Sequence, residues 1–139
     1  MKKIFILIGI FSMFVVNCFI LSAAQTVNLN GSSWQLSRIR QNGVNLEIPR
    51  NTKITVSFSG NKINGNSGIN SYFSDYIITA GNITIGTVGS TEMAGSDSLM
   101  KTERQYIELL QNAKKIELVN KTTLVLTTNR GKTLTFEKL

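Results

Sequence analysis

The sequence predicts one mainly-β (α+β) domain: about eight antiparallel strands, strongly curved or closed into a small barrel, with one α-helix near residues 96–113. Three observations lead there. From Ser32 onward apolar and polar residues mostly alternate at period two, as in half-buried antiparallel strands. Clusters of glycine and asparagine punctuate these runs, where tight hairpins need positive φ. Only one segment switches to helical spacing.

The chain opens with a segment of another kind. Met1-Lys2-Lys3 is a small basic start, and Ile4 to Leu21 is almost unbroken apolar sequence. Ser22-Ala23-Ala24 then offers small residues at the −3 and −1 positions of a cleavage site before Gln25. The expected organisation is a signal peptide over residues 1–24 and a domain over residues 25–139. The run of 18 residues reaches the lower limit for a membrane-spanning helix, but Asn17 and Cys18 interrupt it. Two alternatives stay open. Val15-Val16-Asn17-Cys18 loosely resembles a bacterial lipoprotein processing box, which would place a lipid anchor on Cys18. Against this, Asn is unusual before the cysteine, and apolar Phe19-Ile20-Leu21 stand where a polar tether is usual. The other alternative is an uncleaved anchor helix.

In the domain, Trp34 and Leu36 share parity in the first strand. Pro49, the one proline, lies in an Asn/Gly-rich connection to the second, where Ile54, Val56 and Phe58 alternate with Thr55, Ser57 and Ser59. Gly60-Asn61 and Gly81-Asn82 mark turns. Between the third and fourth strands, Asn64-Gly65-Asn66-Ser67-Gly68-Ile69-Asn70 reads as a turn- or bulge-rich crossing, since Gly and Asn tolerate positive φ. Gly86 to Gly95 connects the fifth strand to the helix. Late in the chain, Leu124 and Leu126, then Leu134 and Phe136, alternate with polar residues around Asn129-Arg130-Gly131.

The helix begins at Ser96-Asp97-Ser98, which supplies cap candidates and a negative charge suited to a helix N-terminus. Leu99, Tyr106, Ile107 and Leu110 fall on one stripe flanked by Met100 and Leu109. Lys114 and Lys115 are expected to close it, where positive charge favours the helix C-terminus. The stripe is expected to lie on the sheet or plug one end of a barrel.

Composition narrows the chemistry. The chain has no histidine, and its one cysteine, Cys18, lies in the leader. That removes the imidazole base, the thiol nucleophile and soft metal ligands from the domain. Without residues 1–24, 115 residues remain, enough for one core and too few for two. The formal charge falls from +7 to +5 because Lys2 and Lys3 leave with the leader. The remaining basic residues are scattered, with Lys114-Lys115 the one adjacent pair and no aromatics interleaved, so nucleic-acid binding is not expected.

Candidate chemistry is sparse. Asp75, Glu92 and Asp97 could form an acid–base pair only by meeting across a cleft; the structural reading gives Asp97 a helix-terminal role and leaves the others as surface or loop-ordering groups. Ser90 and Thr91 beside Glu92 read as hydroxyls that satisfy loose backbone groups. Tyr72, Phe73, Tyr76 and Tyr106 either fill a barrel or line a cavity. No calcium-loop spacing appears.

In order, Leu29-Asn30-Gly31-Ser32-Ser33-Trp34-Gln35-Leu36, Ile54 to Phe58, Gly65 to Tyr72, Ser90-Thr91-Glu92-Met93-Ala94 and the helix positions Leu99, Met100 and Glu103 resemble the META domain, the HslJ-like heat-shock protein family of bacterial envelopes. The resemblance covers nearly the whole domain. It implies a small lipocalin-like barrel with one helix and no assigned catalytic residues, in a family associated with stress tolerance, antibiotic resistance and outer-envelope or secreted roles. The motif residues Trp34, Gly65, Gly68, Asn70, Tyr72, Ser90, Thr91, Met93 and Ala94 are then structural, with no catalytic, cofactor-binding or metal-binding residue and no cofactor. Many relatives carry cysteines where this chain has Ile69 and Gly95. The resemblance therefore implies that these two residues lie within bridging reach, Cα atoms within about 7 Å.

The functional expectation is an exported, non-enzymatic envelope protein, a stress-related binding or structural module of the periplasm or outer membrane, or a secreted one. Its partner is an unidentified envelope protein or component, and the membrane enters only through a lipid anchor at Cys18 or a retained leader. A lipocalin-like carrier of a small apolar ligand and an inhibitor of an envelope or secreted hydrolase are the alternatives.

Overall fold

Alternating runs that expose one polar face and bury one apolar face can form a barrel once their edges pair, and here they do. The computed structural model describes residues 27–139. The expected leader, its cleavage after Ala24 and Cys18 lie outside the described residues. In chain order the elements are β1 (Ser32–Gln41), β2 (Val44–Leu46), β3 (Thr55–Ser59), β4 (Lys62–Asn66), β5 (Ser71–Thr79), β6 (Asn82–Ile85), β7 (Gly89–Ser90), α1 (Asp97–Gln111), β8 (Ala113–Leu118), β9 (Thr123–Thr128) and β10 (Thr133–Lys138). Eight of the strands form a ring in the order β1-β3-β4-β5-β6-β8-β9-β10, with β10 returning to pair with β1 from Trp34↔Lys138 to Arg40↔Thr133. β2 and β7 are short additions on β1 and β5.

The expected parity faces inward. Trp34, Leu36, Val56, Phe58, Ile63, Tyr72, Ile83, Leu124, Leu126, Leu134 and Phe136 are all buried. A bulge between Leu36 and Arg38 resets the alternation, so that Leu36 and Ile39, three residues apart, both face the core. An eight-stranded barrel is just wide enough for side chains to fill its interior. Here Phe58 and Tyr76 meet edge to face at 5.2 Å and Tyr106 and Phe136 at 6.3 Å. Each fully buried side chain of this size contributes about 1.5–3 kcal/mol.

Three details differ from the sequence reading. The connection between Gln41 and Ile54 is not a bare loop: Asn42 and Gly43 both take positive φ (52° and 79°), the signature of a tight two-residue hairpin, and produce β2. The helix runs over Asp97–Gln111 and not to residue 113. Ser96 caps it, its Oγ accepting the Leu99 N–H at 3.3 Å. Lys114 and Lys115 do not close it; they lie exposed on β8. The cause is a bulge between Ala113 and Lys115. It turns the three-residue spacing of the buried pair Ala113 and Ile116, which mimics a helix face, into two inward positions of one strand. The buried stripe of α1 is centred on Thr102, Tyr106, Leu109 and Leu110, while Leu99 and Ile107 are only half-buried.

Where α1 sits follows from two ring contacts. Tyr106 packs against Tyr72 of β5 and Phe136 of β10, which stand on opposite sides of an eight-membered ring. A side chain that touches both lies near the barrel axis, so α1 plugs one end. The weakest seam of the ring is β6 against β8, which has one registered pair, Asn82↔Lys115, and the bond from Ile116 N–H to the Gly81 carbonyl at 3.0 Å.

Candidate functional site

Most of the motif residues converge where the β4–β5 turn, the loop after β7 and the first half of α1 meet. Asn70, buried at the turn, is the hub. Its Nδ2 group donates to Glu103 Oε2 at 2.9 Å and to the Met93 carbonyl at 3.2 Å. Its Oδ1 accepts the Thr91 hydroxyl at 2.8 Å and the Met93 N–H at 2.7 Å. All four hydrogen-bonding positions of the amide are filled. Only this amide orientation works, because the reverse would face Nδ2 with the Met93 N–H. The Asn70 backbone N–H also donates to Glu103 Oε1 at 3.1 Å.

Glu103 is the one acidic residue of the described chain that is not exposed. Besides the two Asn70 donors it receives the Ser67 hydroxyl. Ser67 Oγ also lies 2.9 Å from the Asn70 carbonyl, but one hydroxyl carries one proton, and the charged acceptor is the stronger claimant. The Asn70 carbonyl keeps the Ser67 N–H at 2.8 Å. Turn, loop and helix are therefore tied through one amide and one carboxylate. No buried side-chain nitrogen or oxygen among the described residues lacks a partner.

A second cluster lies beneath. The Tyr72 hydroxyl donates to the Thr55 carbonyl at 2.7 Å and sits 2.6 Å from the Tyr106 hydroxyl, which then donates to it. Burial pushes both phenols well above the ordinary tyrosine range. Gly65 makes this possible: a Cβ there would run into the Thr55 carbonyl and approach the Tyr72 hydroxyl to 3.0 Å. Gly68 holds a φ of +114°, and its N–H donates to Asn66 Oδ1 at 2.8 Å.

The remaining candidates scatter. Trp34 is a core residue whose Nε1 donates to Ser32 Oγ at 2.7 Å. Ser90 is exposed on β7 opposite Tyr72, and Ala94 is exposed in the loop. Met93 presents its side chain outward, 58% exposed, although both of its backbone groups bind Asn70. Asp75 pairs with Lys62 on the outer wall at 2.7 Å, Glu92 is exposed, and Asp97 lies in the first helical turn. These three carboxylates are not brought together. Ile69 lies over Gly95, where a Cβ would meet its Cδ1 at 2.6 Å. Among the described residues no group of three or more His, Cys, Asp or Glu side chains could hold a metal ion. No helix among them is long and apolar enough to cross a membrane.

The barrel axis is occupied by Trp34, Phe58, Tyr72, Tyr106 and Phe136. Two depressions open to solvent, of about 330 and 370 Å³, flank the second half of α1, with Glu108 and Asn112 lining both. Sequence reasoning placed Asn70 and Thr91 in marked motifs but missed their convergence on Ser67 and Glu103. Asn70 and Glu103 stand 33 residues apart, and no local spacing signals their pairing.

Residues 27–139 match the family model of the META domain. No curated protein matches the chain. Among solved structures, one determined by NMR for a protein from Burkholderia xenovorans is 27% identical, covers 80% of this chain and 83% of its own, and superimposes with a TM-score of 0.71. A second NMR structure is 21% identical over 78% of this chain and 90% of its own, with a TM-score of 0.58, which speaks to the fold alone.

Proposed function

The chain belongs to the META domain family, and from that premise we propose that it is an exported, non-enzymatic protein of the bacterial envelope, a stress-related module that acts by contact with another envelope component. One observation carries the reading. The marked polar residues are directed at one another: Asn70, Thr91, Ser67 and Glu103 engage turn, loop and helix in a closed network and present no nucleophile–base pair to solvent. Export is supported by the basic, apolar and small-residue succession over Met1 to Ala24.

Intact mass and N-terminal sequencing of the native product test export directly. A chain starting at Gln25 fits the reading, as does an acylated one starting at Cys18; an unprocessed product confined to the cytosol contradicts it. Turnover of ester, phosphate or glycan substrates by the pure protein, lost in Glu92→Gln, would overturn the non-enzymatic part.

One observation favours a protein partner, including the hydrolase-inhibitor reading, over an apolar cargo. Met93 is an exposed apolar side chain on a loop whose backbone is clamped on both sides by Asn70. A rigid loop with an outward anchor loses little entropy on binding, whereas a carrier needs a roomy cavity and this axis is filled. If the reading holds, Met93→Asp abolishes capture of the partner while leaving the fold unchanged.

A further inference from the structure

One basic residue of the described chain is set apart by its position. Lys132 is the one basic residue that is not exposed, yet its ammonium has neither an ion-pair nor a hydrogen-bond partner among the described residues. It lines the depression of about 330 Å³ between the end of α1 and the β9–β10 hairpin. We propose that this depression is a binding site for the free carboxylate end of a short peptide, held by Lys132 and Arg130. The proposal deepens the binding-module reading above and rests on it.

The surroundings suit that ligand. Arg130, exposed at the hairpin tip and without an ion-pair partner among the described residues, adds a second cation whose fork can take a carboxylate in two parallel bonds. The hairpin is braced: Thr128 N–H donates to the Lys132 carbonyl at 2.9 Å, Lys132 N–H to Thr128 Oγ1 at 3.2 Å, and Gly131 N–H to the Thr128 carbonyl at 3.0 Å. Both cations therefore stand on a preorganised frame. Asn129 on the same hairpin and Asn112 at the end of α1 offer amides, and Leu109 of α1 an apolar side chain. Glu108 lines the same wall. Its charge disfavours a phosphate dianion and suits a monoanion that carries an amide N–H donor on the adjacent α-carbon, which is what a peptide terminus provides. The volume equals about ten waters, room for two small residues.

The ordinary explanation of cations here is neutralisation of the helix C-terminus. That end is served in part from within. The Asn112 side chain and backbone N–H both donate to the Glu108 carbonyl, at 2.8 and 3.1 Å. Both bonds go to one carbonyl and α1 has no basic residue in its last turn, so a helix-end role for Lys132 can coexist with ligand binding.

The test is titration of the ¹⁵N-labelled native product with N-acetyl-alanylalanine, and separately with its C-terminal amide, followed by amide NMR. The expected result is saturable shifts confined to residues 108–112 and 128–132, with affinity at least tenfold weaker for the amide and for Lys132→Met. Arg130→Gln, at an exposed turn position that leaves the fold intact, should weaken it at least threefold and stands in if Lys132→Met does not fold. Shifts that are absent at 20 mM, equal for the amide, or unchanged in both variants overturn the site. Saturable shifts elsewhere overturn it while leaving the binding-module reading in place. Hydrolysis of the peptide would break that reading but not the site.

Discussion

The two halves of α1 face opposite kinds of neighbourhood. Around its first half, the one half-buried carboxylate of the described chain, Glu103, is surrounded by donors from Ser67 and Asn70. Beside its second half, Lys132, the one basic residue of the described chain that is not exposed, has an ammonium without a partner among the described residues. A buried polar group normally persists only when its hydrogen bonds are made, because the unmade ones cost about 1–3 kcal/mol each. The first neighbourhood obeys that rule completely and reads as architecture. The second lies outside that rule, because the unpartnered Lys132 Nζ is not itself buried, and it is left free to meet a ligand. Family motifs therefore mark the plug of the barrel, whereas the proposed recognition site is built from residues no motif contains.

This contrast predicts that substitutions near the plug cost stability and those beside the depression do not. The largest effect should come at Gly65. Any Cβ there meets the Thr55 carbonyl, which is backbone and cannot swing aside, so Gly65→Ala should cost about 4 kcal/mol or more, measured by urea unfolding. A loss below about 1 kcal/mol would mean that β3 and β4 shift freely at the plug.

Next comes pH. Burial raises the Tyr72 and Tyr106 phenols above their unfolded values near 10. Groups with raised folded pKa stabilise the fold fully below the unfolded pKa and withdraw that stability as pH rises above it. Between pH 9 and pH 11 the unfolded chain sheds protons that the folded chain retains, so the pair should remove about 3 kcal/mol of stability. Tyr72→Phe combined with Tyr106→Phe should flatten that slope. An unchanged slope in the double variant would locate the alkaline sensitivity elsewhere.

The smallest effect should be at Lys132. Removing a solvent-reaching charge without a partner should leave stability within about 0.5 kcal/mol when Lys132→Met is compared with the parent by thermal denaturation. A loss of several kcal/mol would reveal a structural partner and erase the contrast.

The barrel was largely legible in the sequence because its signal is local. Phe58 next to Ser57, or Leu124 next to Thr123, reports its own orientation through parity. Hairpins at Gly60 and Gly131 announce themselves for the same reason, with φ of 59° and 70°. What was not legible is what parity cannot carry. The Ala113–Ile116 spacing reads as helix until the bulge is known. Asn42-Gly43 was a hairpin signal absorbed into a long connection. The Asn70–Glu103 tie is purely tertiary, and Lys132 in the β9–β10 hairpin looks like any other hairpin lysine until the helix end is set beside it.

The most direct measurement of the central claim, that the motif residues form a structural tie rather than a reaction site, is a double-mutant cycle on Asn70→Ala and Glu103→Ala read by urea unfolding. Asn70→Ala should cost about 3 kcal/mol, with a coupling to Glu103 of about 1–3 kcal/mol. Independent effects, or an Asn70→Ala protein as stable as the parent, would contradict it.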